Sequence, residues 1–269
     1  MAVFTGSCLL LRRLLSRRLL SSPAPVKTTK TRDTLGSALF SSLVVGTGGL
    51  SAWQAQRYSW KCELVTSRTK ALAAEPEPLA ELLAREAQAP AEYTRVSVRG
   101  RLDHAHQMLV GPRGPPAGAP VGPAVHSGWY VVTPLHGDDG LSVLVNRGWV
   151  ARDRVEEVSQ PSGEVTLECV VRAAEEPGSL GLPRDPKTGS YFWIDPAGMA
   201  LDAELFSSVP LLVEETAPRD QGVASTWPRT RQLSSLLAFR VEPSMHLVYA
   251  ATWATLSLAS AAMTVIRFR

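Results

Sequence analysis

The sequence predicts a membrane protein in which two transmembrane helices flank a mainly antiparallel β domain, barrel or sandwich-like, with one or two short helices. Three observations carry this reading. Residues 34–52 (TLGSALFSSLVVGTGGLSA) and 247–266 (LVYAATWATLSLASAAMTVI) contain no Asp, Glu, Lys or Arg. Each is about the ~20 residues that a helix needs to cross a hydrocarbon core of ~30 Å. Between them, residues 61–246 carry short apolar runs with period-two alternation, punctuated by Gly and Pro, which is the pattern of a many-stranded β domain.

The first element is the leader. Residues 1–32 hold Arg12, Arg13, Arg17, Arg18, Lys27, Lys30 and Arg32 and no acid, with leucines around the arginine pairs and serines following. Arg-rich, Ser-rich and acid-free is the composition of a mitochondrial transit peptide, expected to be disordered. A plain basic tail is the alternative. The formal charge of +3 is dominated by this segment. Without its seven basic residues the balance is 21 basic to 25 acidic, a net −4. That mildly acidic remainder offers no basic stripe for nucleic acid.

The apolar hairpin places both termini on one side of a bilayer and the middle domain on the other. Lys27, Lys30 and Arg32 before the first span, with Arg267 and Arg269 after the second, favour termini in the matrix and the β domain in the intermembrane space; Arg57, Lys61, Arg68 and Lys70 weaken that count. Ser42, Gly46 and Gly49 on the first helix, and Ala251, Thr255 and Ala259 on the second, are spaced for close helix packing in lipid. Trp53, Tyr58, Tyr249 and Trp253 fit an interfacial aromatic belt.

Within 61–246, strands are expected at 95–102, 129–135, 141–145, 165–171, 190–194 and 209–215. Arg95, Arg99 and Arg101 alternate with Val96 and Val98, which puts the arginines on one face. A helix is expected at 78–87, where a proline opens a segment with Leu79, Leu82 and Leu83 on one side. A shorter one is expected at 196–205. GPRGPPAGAPVGP (111–123) reads as an excursion without regular structure, and HGDDG (136–140) as a turn.

Chemistry-bearing motifs are sparse. There is no GxSxG, P-loop, dinucleotide fingerprint or HExxH. Outside the leader only Cys62 and Cys169 remain, without metal or redox spacing; two free thiols are expected. His104 and His106, if on a strand, point to one face, which is a weak metal pair. No catalytic residue and no resident metal are assigned.

Several segments, in this order, resemble the Surfeit locus protein 1 family of cytochrome c oxidase assembly factors. They are WQAQR (53–57) with Lys61, RVSVRGRLDH (95–104) with GPR (111–113), GWYVVTPL (128–135), VNRGWV (145–150) and HLVYAATW (246–253). The likeness runs from about residue 35 to the C-terminus. It implies a non-enzymatic mitochondrial inner-membrane protein with two spans. Such a protein would serve oxidase maturation as a scaffold or as a chaperone delivering haem a to the core membrane subunit. Its partners would be that subunit, other assembly factors and the bilayer. An enzyme of haem a maturation, or a purely structural oxidase partner without cofactor, are the alternatives.

The resemblance draws attention to His246, Tyr249 and Trp253, which fall with Ala250 on one helical face. A neutral imidazole there can ligate haem iron; equally, His246 can anchor the helix at the interface. In VNRGWV, Asn146, Arg147 and Gly148 read as a turn closing a strand, with Trp149 folded back over the sheet. Arg147 is then placed to pair with an acid or a haem propionate. Trp53, Gln54 and Arg57 are placed to face His246 across the hairpin, or to serve as simple interfacial anchors.

Overall fold

A computed structural model describes residues 30–86, 88–116, 126–138, 140–176, 184–185, 188–205, 210–217, 226–239 and 241–268. The leader at 1–29 and most of the proline-rich segment (117–125) lie outside the described residues. The chain divides into two compact units. One comprises residues up to Tyr58 together with those from Ser244, and the other spans Ser59–Pro243.

The first unit is helical. Helix α1 (Lys30–Ala73) begins here, and α4 (Pro243–Phe268) completes it. Both are long and apolar enough to cross a membrane. They run antiparallel: Phe40 meets Phe268 at 5.9 Å between ring centroids, Ser257 Oγ donates to Val44 O, and Ser51 Oγ donates to Ala250 O. The contact is built from small residues, but not the stripe expected. Thr47, Ala250 and Ser260 are buried, and a Cβ on Gly48 would lie 3.4 Å from Ser257 Oγ. Gly46 and Gly49 have nothing within 4 Å of an added Cβ. Thr47 also returns its hydroxyl to Leu43 O, so its polar atom is satisfied within its own helix.

The second unit is the β domain. Strands β2 (Arg95–Leu102), β4 (Gly128–His136), β5 (Ser142–Ala151), β6 (Glu164–Arg172) and β7 (Leu212–Glu215) form a ring in the order β2-β6-β7-β5-β4, closed where Arg101 and Leu102 pair with His136 and Leu135. Gly100 permits that closure, because a Cβ there would lie 2.3 Å from His136 O. Strand β3 (Met108–Arg113) extends the sheet beside β4, and β1 (Glu77–Pro78) beside β2. All pairings are antiparallel except β1–β2 and β5–β7. The interior is filled by the alternate residues of each strand: Val96 and Val98, Val143 and Val145, Cys169 and Val171, and Val213. Leu79 and Leu82 of α2 (Leu79–Arg85) join this core, while α3 (Pro196–Asp202) packs Met199 and Ala200 on a second cluster with Val132, Leu144 and Leu212.

Four local expectations differ from the observed fold. Residues 190–194 form no strand; Tyr191 makes only isolated bridges to Val110 and Arg184, because its neighbours turn the chain into α3. Gly111–Arg113, expected without regular structure, complete β3. His104 and His106 sit on a single 3₁₀ turn capped by the Asp103 carboxylate, not on a strand. His106 Nδ1 is 2.6 Å from Asp103 Oδ2 and His104 Nε2 is 3.1 Å from Pro161 O. Among the described residues no group of three metal-ligating side chains forms. Arg95 is buried rather than aligned with exposed Arg99, since it donates to Ala74 O at the end of α1 and to Glu168. Cys62 and Cys169 are both free thiols, and burial pushes the Cys169 thiol well up.

Candidate functional site

Two places hold the residues singled out above, one in each unit. In the helical unit, His246 stands in the first turns of α4 and Gln54 on the facing side of α1. His246 Nδ1 and Gln54 Oε1 are 2.7 Å apart. An amide oxygen accepts only, so Nδ1 carries a proton and donates to Gln54. The bond fixes the orientation of the imidazole ring between the two helices. Ala250 and Trp253 follow at one and two turns on the same side; Ala250 is buried and Trp253 half-buried. Tyr249 points elsewhere and is exposed, as are Trp53 and Arg57 on α1. Gln54 is thus the member of the 53–57 segment that meets His246.

Trp253 also closes an apolar hollow of 770 Å³ lined by Leu39, Leu43, Gly46, Leu50 and their neighbours on α1. Ser42 and Gly46, expected at the helix contact, line this hollow instead. His246 lies outside it. Of the residues expected to meet haem a, His246 and Trp253 share one side of α4, while Tyr249 is exposed away from them.

In the β domain, the VNRGWV segment is not a terminal turn. Strand β5 runs through it, and the irregularity is a bulge: Val132 pairs with Asn146 and Val131 with Gly148, leaving Arg147 without a cross-strand partner. Gly148 holds φ +123°, and a Cβ on it would lie 2.3 Å from Arg229 O. Only glycine takes that geometry without strain. Asn146 Oδ1 accepts from Gly148 N at 3.1 Å and locks the bulge. Trp149 is fully buried and donates Nε1 to Arg113 O at 3.1 Å.

Arg147, on the same face of β5 as Val143 and Val145, lines a pocket of 290 Å³ with Leu102, Leu167 and Glu215. Arg147 is 5% exposed; Nη2 donates to Ser159 O at 2.8 Å, while Nε and Nη1 are buried without a hydrogen-bond partner among the described residues. A buried donor left unmade costs about 1–3 kcal/mol. Burial pushes the guanidinium down from its ordinary value, opposed by Glu215, which lines the same pocket. Burial raises Glu215 from 4.5 to about 7. Its neighbour Glu214 faces the other way, between Arg172 Nε at 3.2 Å and Arg231 Nη1 at 3.3 Å. Even between two arginines Glu214 is raised, so burial outweighs the pairing.

A family model described as the SURF1 family matches residues 42–258. The chain belongs to the SURF1 family. It is similar to Surfeit locus protein 1 of Mus musculus, 33% identical over 225 residues that cover 72% of this chain and 70% of the relative. A SURF1-like protein of Monosiga brevicollis is 33% identical over 235 residues, 83% and 84% of the two chains. A SURF1-like protein of Drosophila melanogaster is 34% identical over 227 residues, 80% and 71%.

The stretch that matches the SURF1 family includes both Gln54–His246 and Arg147–Glu215. Sequence reasoning placed Arg147 and His246 among candidate residues but missed Glu215 and Ser159, and Trp227, which lines the Arg147 pocket with them. Glu215 stands in a run, VPLLVEE, whose last two residues read as a polar strand end. The missing signal was parity: adjacent acids in a strand point to opposite faces, so a second acid after Val213 and Glu214 faces inward.

Proposed function

We propose that this chain is an assembly factor for cytochrome c oxidase in the mitochondrial inner membrane, acting as a scaffold or haem a delivery chaperone while the core membrane subunit matures. Membership of the SURF1 family, together with an antiparallel pair of helices long enough to span a bilayer, is the observation that carries this reading. The basic residues at 27–32 and at Arg267 and Arg269 support termini in the matrix and a β domain in the intermembrane space.

Haem a, if bound, would supply an iron that an imidazole can ligate. His246 offers Nε2 for that bond, Gln54 holds the ring and its tautomer, and Trp253 provides an apolar wall. His246 is the sole histidine within the sequence of α1 and α4. A lone histidine on these two helices would suit carriage and release better than chemistry on the macrocycle, which favours a chaperone over an enzyme of haem maturation.

Deletion of the gene followed by a native-gel assay tests the assembly role. The expected result is a severe loss of assembled oxidase, restored by the wild-type chain. Normal oxidase after deletion removes the proposal.

A further inference from the structure

We propose that the pocket at Arg147 is a binding site for a small oxyanion, a carboxylate or phosphate group, inside the β domain. Arg147 follows Val143 and Val145 at alternate positions of β5, on the face that lines the interior, and the bulge leaves it without a cross-strand partner. Arg147 is 95% buried, yet two of its donor nitrogens, Nε and Nη1, have no hydrogen-bond partner among the described residues. Among the described residues no carboxylate comes within 4.0 Å of it, Glu215 included. A fixed cation with unused donors beside open space is the electrostatic complement of an oxyanion.

The rest of the wall agrees with that chemistry. Ser159, Thr226 and Thr230 contribute hydroxyl-bearing residues and Trp227 an aromatic face, around 290 Å³ of space. Such a volume is about ten waters at ~30 Å³ each, enough for a small acid and its remaining hydration. Glu215 is the one acid on the lining, and its protonation removes a competing negative charge. Two titratable groups face Glu215: Arg147 from β5 and Cys169 from β6, where the buried thiol stays neutral. Affinity for an anion therefore falls as pH rises through about 7, because Glu215 ionises there. The inference uses residues of the β domain alone and stands whether or not His246 takes haem.

A free small acid and a carboxylate carried on a larger cofactor share this chemistry, and separate titrations distinguish them. The full chain in detergent is titrated with propionate, with inorganic phosphate and with hemin, read by tryptophan quenching and thermal shift. Saturable binding of propionate or phosphate identifies a free anion; a response to hemin alone, lost in Arg147→Gln, identifies a carried carboxylate. In either case Arg147→Gln weakens binding at least about ten-fold. Glu215→Gln, which keeps the cation, binds propionate more tightly than wild type at pH 8 and loses the pH dependence between 6 and 8. Should Arg147→Gln fail to fold, that second variant decides. Equal binding by wild type and Arg147→Gln, identical pH profiles for wild type and Glu215→Gln, or no response to any of the three probes overturns the proposal.

Discussion

The Nδ1 atom of His246 and the Oε1 atom of Gln54 lie 2.7 Å apart across two helices separated by nearly the whole β domain in sequence. The bond sets the tautomer of the one histidine that these helices carry. Replacing Gln54 by leucine removes the acceptor and frees the ring to return to its intrinsic Nε2-protonated preference. Nitrogen-15 spectra of labelled His246 are expected to show Nδ1–H in wild type and mainly Nε2–H in Gln54→Leu, with a stability loss of about 1 kcal/mol. An unchanged tautomer contradicts the assignment.

The helix contact makes a second, positional prediction. Gly48 faces Ser257, whereas Gly46 faces the apolar hollow and has open space around it. Gly48→Leu is expected to push the helices apart by about 1–2 Å, a shift within the 8–10 Å range of packed interaxial distances, and Gly46→Leu is not. Spin labels at Val45→Cys and Leu258→Cys, both exposed, read the distance. Equal effects of the two leucines would return the contact to the Ser42–Gly46–Gly49 stripe.

That stripe shows what the sequence could and could not deliver. The apolar lengths at 34–52 and 247–266 were legible because lipid imposes a length and forbids charge, and both helices appear. The contacting face was not, because small residues occur on several faces and nothing in composition separates the face that touches α4 from the one that lines a hollow. The β strands were legible wherever one face is buried and alternation follows, as at Val96, Val98, Val143 and Val145. Tyr191 misled because its apolar neighbours serve a second cluster with α3 rather than a ladder. In the VNRGWV segment the special backbone at Gly148 was readable, but whether it ends a strand or bulges within one depends on partners distant in sequence, β4 and Arg229.

The bulge itself is open to test. Gly148→Ala places a Cβ against the Arg229 carbonyl at a positive φ. The loss is expected to be about 3 kcal/mol or more, enough to unfold a marginal domain. Thermal or urea denaturation of the full chain measures it. A loss under about 0.5 kcal/mol would mean that the bulge relaxes freely.

Glu215 predicts a pH dependence with a definite sign. Its carboxyl titrates near 7 when folded and near 4.5 when unfolded, so the folded chain holds the proton more tightly. This contribution is fully present below about 4.5 and is lost as pH rises through 7, a change on the order of 3 kcal/mol. Glu215→Gln carries no such loss. It is expected to be more stable than wild type at pH 8 and little different at pH 5, as read by denaturant midpoints at both values. Parallel curves for the two proteins would remove the buried-carboxyl assignment.

We propose that His246, in the first turns of α4, serves the maturation of cytochrome c oxidase. The most direct test is the haem a absorbance of mitochondrial membranes from deletion cells carrying either wild type or His246→Ala at matched protein levels. The account predicts that the signal is lost on deletion, restored by wild type and not restored by His246→Ala. Full haem a signal in the deletion cells, or full restoration by His246→Ala, would contradict it.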